Sequence, residues 1–230
     1  MKKVNKKGPK REIDKELIAR DMEDEKIEES NKKLTGGLKA YTPRKSISID
    51  SGKILGAANV AKIIIKESRP GFRIISIAGL SGAGKSSTAE HLRKTLKGVK
   101  LSMGEVFRYF TYLTLKEGEK NFQKVSARLR YEVSKNKLNL FDGNLNITKN
   151  LVEELRNANV EKNLPAISKI SQTEAIKMMG REIGRLKKES DRKIIIEGRS
   201  FTIDFLPSDL RVELFADEKI KAQRRKKQYS

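Results

Sequence analysis

The order of apolar and polar positions separates a polar N-terminal part from a patterned remainder. In residues 1–51 the stretch DKELIARDMEDEKIEESNKK is dominated by Lys and Glu, with Leu17, Ile18, Met22 and Ile27 its only sizeable apolar residues. So little apolar surface cannot offset the entropy of ordering the chain, which predicts a disordered or loosely helical extension. Gly36-Gly37 and Pro43 read as linker punctuation. Residues 52–70 change character: Ile54, Leu55, Ala58, Ala61, Ile64 and Ile65 fall at helical spacing, and Pro70-Gly71 ends the pattern. An apolar-faced helix followed by a linker is predicted there, docked on the core.

From residue 71 to 230 the pattern alternates. RIISIA (73–78) is a β-branched run of strand length, followed by a helix over 86–96, a short strand over 99–102 and a helix over 104–116. A further helix is expected at 120–136. KLNLFDGNLNITKN (137–150) alternates around Asp142-Gly143, the mark of a hairpin with a two-residue turn. Helices are expected at 148–156 and 172–188, and strands at KIIIE (193–197) and LRVELFA (210–216). Strands interleaved with helices give an α/β fold, a parallel sheet flanked by helices, with an inserted lobe at about 137–171.

Chemistry concentrates between the first strand and its helix. GLSGAGKSS spaces Gly79, four residues, Gly84, Lys85 and Ser86 as a phosphate-binding P-loop does. Small residues let backbone N–H groups turn toward an anion, and the following helix presents its positive end. Gly79, Ser81, Gly82, Ala83, Gly84, Lys85, Ser86 and Ser87 are therefore the expected ATP cradle. Lys85 would reach the β- and γ-phosphates, and the Ser86 hydroxyl would ligate Mg²⁺.

Composition narrows the class further. The formal charge of +21 over 230 residues favours anionic partners, nucleotides or nucleic acid, without choosing among them. The sequence contains no cysteine, which excludes disulfides and Cys-ligated metals. No apolar run reaches the length of a membrane span, and MKKVNKKGPKREIDKE has no signal-peptide core, so a cytoplasmic protein with no membrane partner is expected.

Further stretches fall in line behind the P-loop: SMGEVFR (102–108), IIIEGRS (194–200) and FLPSDLRVELFADEKIKAQRR (205–225). With LFDGNLNITKNLVEELRNANVEKNLPAISKIS as an inserted nucleoside-monophosphate lobe, residues 73–225 resemble the cytidylate kinases in order and spacing. That resemblance implies a P-loop kinase fold, ATP and Mg²⁺ as cofactors, and CMP or dCMP as substrate; a monomer is expected. It assigns the acceptor phosphate to Arg108 and Arg199, the surroundings of the CMP pocket to Ser102 and Gly104, and a cytosine contact to Ser168. Glu197 takes the acidic position that manages Mg²⁺ through water. Arg181 and Arg185 match a basic stretch of the insert loosely, and a solvated face explains them equally well; His91 has no assigned role.

The residues support this independently. Phosphoryl transfer needs positioning and positive charge more than covalent help, and the planar fork of Arg suits phosphate oxygens. Arg108 and Arg199 both follow strand ends, where open α/β sheets bind ligands. Two departures stand out. Gly198-Arg199 is followed by Ser200 where the family commonly has Asp, and the chain reaches RRKKQYS soon after the fourth strand, where family members continue through an Arg-rich lid, a further strand and a closing helix. Arg224 and Arg225 match the start of that lid and are expected to act in catalysis; the sheet is expected to lack its last strand. Three other readings stay open: a nucleotide-binding protein with weakened catalysis, a different P-loop kinase acting on a nucleoside or another monophosphate, and an RNA-associated protein using the basic termini, which the mixed charge of residues 1–51 disfavours.

Overall fold

The computed structural model describes Lys26 and residues 37–134 and 137–229, with side chains through Arg224. Its centre is a five-stranded parallel sheet in the order β1 (Lys45–Asp50), β8 (Leu210–Phe215), β2 (Ile74–Ala78), β7 (Ile194–Gly198), β3 (Val99–Ser102). Every residue of β2 and β7 is buried, as expected of parallel strands covered on both faces. Alternate side chains go to opposite faces. Ile74, Ala78, Ile194 and Ile196 join one core under helices α3 (Met103–Glu117) and α6 (Ala158–Glu189). Ile75, Ile77 and Ile195 join the other, under α1 (Ala57–Glu67) and α2 (Lys85–Thr95). The fold is the expected α/β arrangement, and α1 docks as expected, burying Val60, Ala61 and Ile64.

The N-terminal expectation requires a correction. Residues 45–50 are not part of a polar extension but the strand β1, paired in register with β8 from Lys45↔Leu210 to Asp50↔Phe215. Ile47 and Ile49 alternate with Ser46 and Ser48, so one side of KSISID meets the core and the other meets solvent. Lys45 donates to Glu67 at 2.5 Å, joining the start of β1 to the end of α1. β1 and α1 thus flank β8 from the N-terminal side of the P-loop. β8 is an interior strand, with β1 on one side and β2 on the other. Apart from Lys26, the expectation for residues 1–36 lies outside the described residues.

The inserted lobe differs in detail. The helix expected at 120–136 ends early as α4 (Phe122–Arg128), capped by the Asn121 side chain, and gives way to β4 (Leu129–Ser134). Leu129 and Tyr131 are buried while Arg130 and Glu132 are exposed, a strand period hidden beside a helical one. β4 pairs antiparallel with β5 (Lys137–Asp142), which turns through Gly143-Asn144 into β6 (Leu145–Asn146), one residue beyond the expected turn. What was expected as a helix at 148–156 is a short α5 (Ile147–Asn150) and a 3₁₀ turn (Glu154–Arg156). α6 then starts at the Asn157 cap and runs through Pro165 to Glu189, so its first turns belong to the lobe and its remainder to the core.

Arg181 and Arg185 are neither ligand-facing nor merely solvated. Arg181 donates to the carbonyls of Ser126 and Leu129, and Arg185 to that of Tyr131, while Glu182 accepts from the Tyr131 amide at 2.8 Å. These side chains tie the outer strand β4 to α6. Two elements complete the chain: α7 (Ser200–Ile203) after β7, and α8 (Glu218–Tyr229) after β8. Among the described residues no helix is long and apolar enough to cross a membrane.

Candidate active site

The loop between β2 and α2 is shaped by close approach. Gly79 sits at φ +144°, and a Cβ there would lie 2.1 Å from the Leu214 carbonyl oxygen on β8. Gly82, at φ +76°, is pressed against α8, where a Cβ would lie 2.7 Å from the Lys221 carbonyl oxygen. Only glycine fits such backbone. Lys85 opens α2, and its Nζ donates to the Leu80 carbonyl at 2.7 Å, across the loop. Ala83 is wholly buried and, like Gly79, shapes the loop from behind.

At the foot of the loop three elements converge on one carboxylate. The Ser86 hydroxyl donates to Glu197 Oε2 at 2.9 Å, and the Ser102 hydroxyl donates to Oε1 at 2.9 Å. The parallel sheet brings them together: β7 carries Glu197 between β2, which feeds the P-loop, and β3, which ends at Ser102. A hydroxyl and a carboxylate at hydrogen-bond distance are a suitable oxygen pair for a hard cation. The described residues contain no group of three or more His, Cys, Asp or Glu able to hold a metal by themselves. Ser86 and Glu197 could contribute to an Mg²⁺ site only with further oxygens from phosphate and water.

Above this floor lies a cleft of about 1080 Å³. Ser81, Gly82, Gly84, Lys85, Ser86 and Ser87 line one part of it. Ser102, Gly104, Arg108, Ser168 and Arg199 line the same cleft, so the expected acceptor residues share it with the P-loop. Arg108 donates from Nε to Glu161 Oε1 at 2.7 Å and from Nη1 to the Gly104 carbonyl at 3.2 Å. The Ser168 hydroxyl donates to the Pro165 carbonyl at 2.9 Å, within α6. Ser200 is absent from the lining; it donates to the Glu213 carboxylate at 3.1 Å, which in turn pairs with Arg211.

Arg224 lines the cleft, but its guanidinium bonds are to Ser51 and Gly82: Nη2 to the Ser51 carbonyl at 2.7 Å, Nη1 to the Ser51 hydroxyl at 3.0 Å and to the Gly82 carbonyl at 3.3 Å. The Arg225 side chain lies outside the described ones. One buried carboxyl beside the site is perturbed. Burial pushes Glu105 above its ordinary value, opposed by the Thr148 hydroxyl donating to it at 2.6 Å.

Sequence reasoning missed the other wall of the cleft. Ser51, Ile54, Ala57 and Val60, from the turn after β1 and the start of α1, line it beside the P-loop. The signal was faint: a four-residue Ile/Ser alternation ending at Asp50-Ser51-Gly52. Glu161, the partner of Arg108, was missed as well, since nothing local marks it.

The family model described as cytidylate kinase matches residues 75–230. A cytidylate kinase of Mesomycoplasma hyopneumoniae (strain 232) is 30% identical over 159 residues, 67% of this chain and 66% of that protein. A probable cytidylate kinase of Vairimorpha ceranae is 32% identical over 153 residues, 66% of this chain and 69% of its own. A cytidylate kinase of Borrelia turicatae is 32% identical over 162 residues, 68% of this chain and 71% of its own. The chain thus spans about two thirds of the length of the relatives it matches. The match over residues 75–230, together with relatives at about 30% identity, places the chain in the cytidylate kinase family.

Proposed function

We propose that the chain transfers the γ-phosphoryl group of ATP to CMP or dCMP, releasing ADP and the nucleoside diphosphate, as a cytosolic enzyme. The observation that carries this reading is a single cleft lined by Lys85, Ser86, Arg108 and Arg199 together. An acceptor phosphate oxygen, already anionic near neutral pH, attacks the γ-phosphorus; the bond from that phosphorus to the β–γ bridging oxygen breaks, and ADP leaves. No general base is needed. The P-loop amides and Lys85 hold the β- and γ-phosphates, while Arg108 and Arg199 hold the acceptor phosphate in line with them. Bound Mg²⁺, held by Ser86 with Glu197 behind it, would neutralise charge on the donor phosphates. Ile54, Ala57 and Val60 offer the apolar wall on which the donor base would rest, and Ser168 lies with the acceptor residues, where the cytosine would reach.

Arg108 tests the acceptor placement. Its present partner is Glu161, so an incoming phosphate takes over a guanidinium already held in place. Arg108→Ala is expected to raise KM for CMP by about 30-fold, the scale of a lost charge-assisted pair, while KM for ATP changes by less than about twofold. A loss falling on ATP instead would place the acceptor elsewhere. Steady-state kinetics with each substrate varied separately decides it.

A further inference from the structure

Residues 45–67 lie outside the span that matches the family, yet they close the sheet and wall one side of the cleft. β1 ends at the carboxyl edge of the sheet, and the Ser51 amide extends its ladder by donating to the Phe215 carbonyl at 2.8 Å. Ser51 is 2% exposed. Its hydroxyl donates to the Ala83 carbonyl at 2.8 Å and accepts from Arg224 Nη1 at 3.0 Å, while its carbonyl accepts from Arg224 Nη2 at 2.7 Å. One residue thereby joins the β1–β8 pair, the P-loop and the last helix.

The geometry of the peptide unit gives this a consequence. In a trans peptide the carbonyl of one residue and the N–H of the next point in opposite directions. Anchoring the Ala83 carbonyl on Ser51 aims the Gly84 N–H away from Ser51, on the side a phosphate would occupy. Arg224, fixed on Ser51, holds the preceding carbonyl of Gly82 as well. The Ala83 N–H of that peptide donates to the Leu80 carbonyl at 3.3 Å, so the Arg224 contact steadies the loop, while the Ser51 contact sets the Ala83–Gly84 peptide. Without the Ser51 contact that peptide could rotate, and the Gly84 amide would no longer aim at an anion.

We propose that Ser51 is a positioning residue for the phosphate cradle, so that a segment N-terminal to the family-matched region completes the ATP site. This rests on the reading of the cleft as an ATP site. The test compares Ser51→Ala with Ser51→Thr in the full chain, by calorimetric titration with ATP·Mg²⁺ in the absence of CMP and by steady-state kinetics. Ser51→Ala is expected to weaken ATP binding and raise KM for ATP about tenfold, with KM for CMP within about twofold. Ser51→Thr, which keeps the hydroxyl, should stay within about threefold of the parent protein for ATP.

Arg224→Gln breaks the same bridge from its other end and serves if Ser51→Ala does not fold. It should weaken ATP about tenfold, and combined with Ser51→Ala should lose much less than the product of the two. Unchanged ATP affinity in Ser51→Ala, equal losses for ATP and CMP, or Ser51→Thr as weak as Ser51→Ala would each overturn the assignment. Parent protein that binds ATP without turning over CMP would overturn the kinase reading but leave the calorimetric comparison decisive for Ser51.

Discussion

Lys85→Ala is expected to lower turnover by about a thousandfold, the scale at which a preorganised charge on a transferring phosphoryl group acts. Lys85 is the first residue of α2, and its ammonium spans the loop to the Leu80 carbonyl. That position lets it swing to the β- and γ-phosphates with little reorganisation, inside a cleft whose walls limit solvent. Charge develops on those oxygens in the transition state, so the loss should fall mainly on kcat. Lys85→Arg should restore little, because a planar fork does not replace a compact point charge. Single-turnover measurements with saturating ATP and CMP check this, and unchanged activity would remove the P-loop from the mechanism.

The second large effect concerns the loop's backbone. Gly79→Ala would place a Cβ 2.1 Å from the Leu214 carbonyl oxygen at φ +144°. Neither partner can yield cheaply: Leu214 belongs to β8, which is held by β1 on one side and β2 on the other. The expected cost is about 3 kcal/mol or more, from a forbidden backbone region and a backbone clash together. For a chain of this size that lowers the midpoint by roughly 6–12 °C. ATP affinity should fall with it, since the cradle begins at this residue. Gly180→Ala in α6, with nothing within 4 Å of its added Cβ, is the control and should be neutral or slightly stabilising. Thermal unfolding of both variants decides whether the Gly79 effect is local.

The sequence made some of this plain and hid the rest for identifiable reasons. Strands buried on both faces announce themselves as continuous apolar runs, so IISIA and IIIEG were legible almost to the residue. The edge strand KSISID carries only two isoleucines among polar residues, too little to stand out from a charged neighbourhood. β4 was hidden because LRYEV reads equally as the end of the preceding helix; its pairing with β5 and the grip of Glu182 and Arg185 on Tyr131 select the strand. The same contrast governs the site. The P-loop is contiguous, so its chemistry is written locally. Ser51 meets Ala83 across 32 positions and Arg224 across 173, contacts that only the folded sheet creates. Glu161 on Arg108, 53 positions away, is another of this kind.

Transfer from ATP to a cytidine monophosphate is read from ADP release with ATP·Mg²⁺ and CMP, dCMP, UMP or AMP in turn. Turnover with CMP and dCMP should stand well above that with UMP or AMP and be lost in Lys85→Ala. Absence of turnover with every monophosphate, in protein that binds ATP calorimetrically, would contradict it.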